Sequence, residues 1–190
     1  MKFLDRVLQR WRIAKAKPFV RPGSRVLDLA CADGALFRQL GARISEGFGI
    51  DPVLTAEAGW GAFRLMPGWF PKDMPPLPPF DVITMLAVLE HIPDNESARV
   101  AAGCADRLKP GGYLVITVPS PLVDHVLKVL MFFRLVDGMS LEQHHGFDVR
   151  HTERLFNHAG LTLVQHRRFQ LGLNNLFVFQ KPSVTGPSTA

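Results

Sequence analysis

The stretch Val26-Leu27-Asp28-Leu29-Ala30-Cys31-Ala32-Asp33-Gly34 constrains the fold more than any other part of the chain. An apolar run ends in an acid, turns through small residues, and enters the helical pattern Ala35-Leu36-Phe37-Arg38-Gln39-Leu40. A second short apolar segment, Gly49-Ile50-Asp51-Pro52, ends in another acid 23 residues after Asp28. This is the layout of the first β-α-β unit of a doubly wound sheet, which binds its ligand at the carboxyl ends of the strands. An acid after the second strand suits a ribose diol, because one carboxylate can accept from both hydroxyls.

The loop also constrains the nucleotide. A dinucleotide fold carries G-x-G-x-x-G so that a pyrophosphate can approach the helix N-terminus. Here the small residues fall at Ala30, Ala32 and Gly34, with carboxylates at Asp28 and Asp33. Two acids repel a pyrophosphate and suit a ligand bearing an ammonium and a sulfonium. The charge pattern therefore favours S-adenosylmethionine over NAD.

Four segments in this order make the chain resemble the class I S-adenosylmethionine-dependent methyltransferases, in particular the type 11 or UbiE-like small-molecule group. They are the Asp28 loop, Gly49 to Pro52, Phe80 to Asp94 and Leu108 to Pro119, within a resemblance spanning about residues 24 to 181. One departure is that the family usually has glycines where Ala30 and Ala32 stand. The resemblance implies that Asp28 meets the methionine portion of the cofactor and that Ala30, Cys31, Ala32 and Gly34 line it. It also implies that Asp51 holds the ribose, with Pro52 and Val53 beside the adenosine. Met85, Leu86 and Ala87 then border the cofactor from the fourth core strand. Where the family often has an acid for the adenine amine, this chain has Trp69 and Phe70, either stacked on adenine or core residues. Cys31 reads more simply as a small filler than as a reactive thiol.

Candidate acceptor-side groups are His91, one turn beyond the fourth strand, and His144 and His145 in the cluster Glu142 to Phe147. Histidine is the side chain suited to take a proton from an oxygen or nitrogen acceptor near neutral pH. Neighbouring histidines rarely chelate one ion and the H-E-x-x-H spacing is absent, so no metal site is expected. The Glu142 to Phe147 cluster is read as an acceptor-facing loop, with a structural turn as the alternative.

The pattern predicts an α/β fold: a doubly wound, mostly parallel, seven-stranded Rossmann-like sheet with an antiparallel final strand. Strands are expected near 25–29, 46–50, 63–66, 80–85, 113–118, 161–168 and 174–180, and helices near 34–43, 54–61, 94–108 and 148–159. Gln170 to Asn174 is too short for a crossover and implies a hairpin. Lys109 to Gly112 reads as the turn before the fifth strand, and Pro67 to Pro79 as a loop.

Residues 1–20 form a basic amphipathic helix ahead of a methyltransferase domain over 21–181. Residues 121–147 are an apolar insertion or lid over the acceptor site, and 182–190 a disordered tail. The overall charge of +5 is local: residues 1–25 hold eight Lys or Arg and one Asp, about +7, so the remainder nets about −2. That distribution argues against a nucleic-acid groove on the sheet. The first helix either packs on the domain or meets anionic lipid through residues 1–17. Without a signal-peptide pattern or a long apolar run, the chain is expected in the cytoplasm, peripheral to the membrane at most.

The function expected is methyl transfer to a small or lipid-like acceptor by in-line displacement; a lipid-linked saccharide, polyprenoid, quinone precursor or modified sugar would fit. The alternatives are a cofactor-binding protein without catalysis and an NAD(P)-dependent oxidoreductase.

Overall fold

The computed structural model describes residues 3–120 and 149–183, with side chains described over 6–120 and 151–183. Eight strands form one sheet: β1 Ser24–Leu29, β2 Ile44–Asp51, β3 Ala58–Trp60, β4 Phe63–Pro67, β5 Phe80–Leu86, β6 Leu108–Pro119, β7 Thr162–Phe169 and β8 Asn174–Gln180. Their spatial order is β3-β4-β2-β1-β5-β6-β8-β7. The run β4-β2-β1-β5-β6 is parallel, whereas β8 runs antiparallel to both β6 and β7. Four α-helices are described: α1 Phe3–Ala16, α2 Ala35–Leu40, α3 Asp94–Arg107 and α4 Val149–His158.

The interior strands read as near-continuous apolar runs because both faces are covered. Leu27, Leu29, Ile83, Met85, Leu114 and Ile116 point to one face, against Val100 and Cys104 of α3 and Phe156 of α4. Val26, Val82, Val115 and Val178 point to the other, against Phe37 and Leu40 of α2 and Ile13 and Ala16 of α1. The strand order reverses between β1 and β5, so the crevice outside their carboxyl ends is the expected ligand position.

Three expectations need correction. Residues 54–61 do not form a helix; they lead into β3, which pairs antiparallel with β4 and adds an eighth strand at the sheet edge. Two glycines decide this: Gly61 turns at φ 57°, and a Cβ on Gly59 would lie 2.6 Å from the Phe63 carbonyl. Lys109 to Gly112 are the irregular start of β6, because Gly111 and Gly112 exchange backbone hydrogen bonds with Lys181 beyond β8. Helix α2 is shorter than expected and passes into a 3-10 turn at Gly41–Arg43. The final hairpin forms as expected, with Gln170, Leu171 and Gly172 all at positive φ.

Helix α1 packs on the domain through Ile13 and Ala16, with Leu8 half-buried. Val7, Trp11 and Ala14 are exposed, as are Arg6, Arg10 and Lys15. The insertion at 121–147, including His144 and His145, lies outside the described residues, as do residues 184–190 of the expected tail.

Candidate functional site

The loop after β1 carries the strongest local signature. Ala30, Ala32 and Gly34 all have left-handed backbone, at φ 54°, 46° and 75°. The loop therefore keeps a glycine-type path although two of its positions are alanine, each with a steric cost of about 1–2 kcal/mol. A third alanine, Ala87 at the end of β5, sits at φ 60° and donates its N–H to the Thr117 carbonyl at 2.8 Å. Left-handed alanines gathered around one crevice mark a backbone held by its surroundings.

Asp51 is the clamp that does part of this holding. Its Oδ2 accepts from the Ala32 N–H at 2.8 Å and its Oδ1 from the Val53 N–H at 2.9 Å. Each carboxylate oxygen keeps a further lone pair for a ligand hydroxyl. Pro52 and Val53 follow at the surface, with Val53 largely exposed.

Asp28 is buried and accepts from the Thr84 hydroxyl at 2.6 Å. Burial pushes its carboxyl from an ordinary 3.8 up to about 7; the Thr84 hydrogen bond opposes the rise and Asp51 adds to it. A cation placed here would restore the ionised form. Asp33, the second loop acid, instead pairs with the Arg38 guanidinium, so the charge offered to a ligand comes from Asp28 and Asp51. Cys31 is buried against Gly49, and burial first, then Asp28 and Asp51, push its thiol up to about 12. It is an inert filler at neutral pH.

The edge hairpin closes the loop from outside. The Trp60 ring lies over Gly34, where an added Cβ would come within 2.7 Å of it. The two aromatics after β4 divide: Phe70 packs on α3 at Gly103, while Trp69 is 64% exposed. Asp73 turns back to Gly68 and accepts from the Trp69 N–H at 2.8 Å, which returns an acid to the end of β4 that linear sequence placed too far on.

Met85 is buried, with Leu86 and Ala87 half-buried at the end of β5. In the 3-10 turn Leu89–His91, Glu90 turns inward and is 4% exposed, whereas His91 is exposed. Burial raises the Glu90 carboxyl from 4.5 to about 7, opposed by a backbone hydrogen bond and the Arg12 guanidinium of α1. Sequence reasoning named His91 and did not single out Glu90 or Thr84, the partner of Asp28, whose signal is strand alternation toward the face of Asp28. No cluster of three metal-ligating side chains occurs among the described residues. A cavity of about 370 Å³ lined by Arg21, Ser24, Asp81 and Lys109 lies at the opposite, amino end of the strands, away from this chemistry.

A doubly wound sheet with acids at the ends of β1 and β2 and a left-handed loop between them defines a nucleoside-cofactor domain. More particularly, the chain belongs to the methyltransferase domain family, whose sequence profile matches residues 2–166. It is 29% identical over 125 residues to a ubiquinone biosynthesis O-methyltransferase of Burkholderia thailandensis, covering 57% of this chain and 50% of that protein. With the same enzyme of Pseudomonas fluorescens it shares 34% over 101 residues, 47% of this chain and 42% of that one. The chain thus spans about half the length of the curated relatives it matches. Among solved structures, the N-methyltransferase NodS of Bradyrhizobium japonicum bound to S-adenosyl-L-homocysteine superposes with a TM-score of 0.66 at 16% identity, covering 93% of this chain and 88% of that one. A 1,6-didemethyltoxoflavin N1-methyltransferase of Burkholderia thailandensis gives 0.70 at 17%, covering 95% and 81%.

Proposed function

We propose that this protein is an S-adenosylmethionine-dependent methyltransferase acting on a small or lipid-like acceptor. The observation that carries the reading is the pairing of a buried acid, Asp28, with a clamped acid, Asp51, across a left-handed loop. The residues present fit that cofactor: an ammonium would relieve the desolvated Asp28 carboxyl, and Asp51 retains lone pairs for ribose hydroxyls. Bound S-adenosylmethionine supplies an electrophilic methyl group on a positively charged sulfur.

The chain's own contribution is then mainly positioning, which accounts for much of the rate of a displacement. Asp28 would hold the methionine ammonium of the cofactor and Asp51 its ribose, Val53 and Trp69 would flank the base, and Met85 to Ala87 would wall the reacting end. Glu90 is the inward-facing group that takes a proton from the acceptor, since a carboxyl near 7 is matched to neutral pH. His91 stands outside it as a surface group.

Calorimetric titration with S-adenosylmethionine, and separately with NADH, tests the reading. Micromolar S-adenosylmethionine binding that Asp51→Ala weakens at least tenfold, about 1.4 kcal/mol, is expected. Absence of binding, or preference for NADH, would overturn it in favour of the oxidoreductase alternative. Binding without turnover on any acceptor would favour a cofactor-binding protein.

The outward face of α1 supports peripheral contact with anionic lipid. Trp11 is 43% and Val7 38% exposed, flanked by Arg6, Arg10 and Lys15, which is the composition of an interfacial helix. No described helix is long and apolar enough to cross a membrane. Flotation with phosphatidylglycerol vesicles should be lost in Trp11→Glu; equal flotation of both proteins rejects the contact.

A further inference from the structure

At the amino end of the sheet, a cavity of about 370 Å³ opens between the starts of β1, β5 and β6. That volume falls within the range of about 300–1,000 Å³ typical of small-molecule sites. One wall is the turn Arg21-Pro22-Gly23 that enters β1, and the other is Lys109 to Tyr113 at the start of β6. Both walls are held by the backbone. The Gly23 N–H donates to the Arg43 carbonyl at 2.8 Å, and the Gly23 carbonyl accepts from the Ser45 hydroxyl at 2.8 Å. Across the cavity, the Gly111 N–H donates to the Lys181 carbonyl at 2.8 Å, and the Lys181 N–H donates to the Gly112 carbonyl at 3.0 Å. The cavity is therefore preformed, which lowers the ordering cost of filling it.

Two polar side chains of the lining have capacity to spare. Ser24 is 5% exposed, yet its hydroxyl has no hydrogen-bond partner among the described residues. By alternation Ser24 shares a sheet face with Val26, and the strand register carries that face through Val82 to Tyr113, so the hydroxyl is aimed into the cavity. A buried hydroxyl left unpaired is costly. Arg21 is exposed and makes no ion pair or side-chain hydrogen bond among the described residues.

The other charges at the site are already matched. Lys109 Nζ donates to Asp81 Oδ1 at 2.8 Å, and Asp81 Oδ2 accepts from the Arg25 N–H at 2.8 Å. With Lys109 and Asp81 cancelling, the uncompensated charge is the one on Arg21. The apolar side of the cavity is built from Val82 and two rings, Phe19 and Tyr113, which meet edge to face with centroids 6.2 Å apart at 63°. Rings set at such an angle accept a further ring in the same manner.

We propose that this cavity binds a small aromatic carboxylate at a site separate from the cofactor crevice. The carboxylate accepts from the Arg21 guanidinium fork and from the Ser24 hydroxyl, and the ring lies against Phe19 and Tyr113. A single negative charge matches the one uncompensated cation, whereas a phosphate dianion would carry an excess charge toward Asp81. Ser24 and Asp28 are four residues apart on β1, about 13 Å, so this ligand and the cofactor occupy opposite ends of one strand. The inference goes beyond the methyltransferase reading and does not depend on it.

Amide NMR of the isotope-labelled full chain, titrated with benzoate, tests the site. Gly23, Gly111 and Gly112 report from its two walls, and Gly34 and Gly49 from the cofactor end. Saturable shifts should centre on the first three and leave the other two unmoved. Arg21→Gln should weaken benzoate at least tenfold and Ser24→Ala at least threefold. Arg21 is exposed and the Ser24 hydroxyl has no hydrogen bond to lose, so both variants should keep the wild-type thermal midpoint. Acetate, benzyl alcohol and phenyl phosphate, which lack the ring, the charge and the single charge respectively, should each bind at least fivefold more weakly than benzoate. Absence of saturable binding, shifts centred on Gly34 and Gly49, or an affinity that either substitution leaves unchanged overturns the site. Any of the three control compounds binding as well as benzoate overturns the ligand class.

Discussion

Replacing Asp28 with Asn should make the ligand-free protein more stable at alkaline pH while damaging cofactor binding. The carboxyl titrates near 7 in the folded protein against an ordinary 3.8. Between those values the folded state holds a proton that the unfolded chain has already released, so stability falls as pH rises and levels off above about 7. A gap of about three pH units corresponds to about 4 kcal/mol, and relaxation around the new charge leaves about 2–4 kcal/mol. Asn retains an oxygen to accept the Thr84 hydroxyl and never ionises. In urea, with a slope of about 2 kcal/mol per molar, the midpoint of Asp28→Asn should exceed wild type by about 1–2 M at pH 8 and match it near pH 4. Wild type should also show a second, Glu90-dependent loss between 4.5 and 7, which Asp28→Asn leaves in place. An Asp28→Asn protein that loses as much stability as wild type between pH 4.5 and 8 would refute the argument. The same variant should bind S-adenosylmethionine at least tenfold more weakly, a cost of about 1.4 kcal/mol in the opposite direction.

The left-handed alanines predict two further outcomes. Ala30→Gly and Ala32→Gly should each raise stability by about 0.5–1 kcal/mol, the relief of a 1–2 kcal/mol strain less the entropy of glycine; a fall in the thermal midpoint would refute the strain. Gly34→Ala should cost about 1–3 kcal/mol, because φ 75° and the Trp60 ring at 2.7 Å both oppose a methyl group. Adding Trp60→Leu should recover the steric part in a double-mutant cycle, and strict additivity would show that the ring does not matter.

The parallel half of the sheet was legible because β1 and β5 are buried on both faces and are mostly apolar, with Asp28 and Thr84 the polar residues buried inside the runs. The edge strand β3 was not, since its three residues are all exposed and carry no periodic signal. In the site, Asp28, Asp51 and the small-residue loop follow from their places at strand ends. What sequence could not give was direction. Glu90 and His91 are adjacent in the chain, and only the geometry of the 3-10 turn sends the first inward and the second out. Asp33 has the sequence position of a cofactor-facing charge, but Arg38, one helical turn on, holds it.

The position of β8 has a consequence for synthesis. It leaves the ribosome after every other described strand of the sheet, yet it lies inside the sheet, bonded to β6 on one side and β7 on the other. Until Gln180 has emerged, the edge of β6 from Tyr113 to Pro119 has no partner, and its residues are among the most apolar of the chain. The nascent domain therefore carries an open, adhesive edge until β8 has emerged. Release of a chain ending before Asn174 should yield aggregates rather than a smaller folded core, and chaperone dependence should concentrate in that interval.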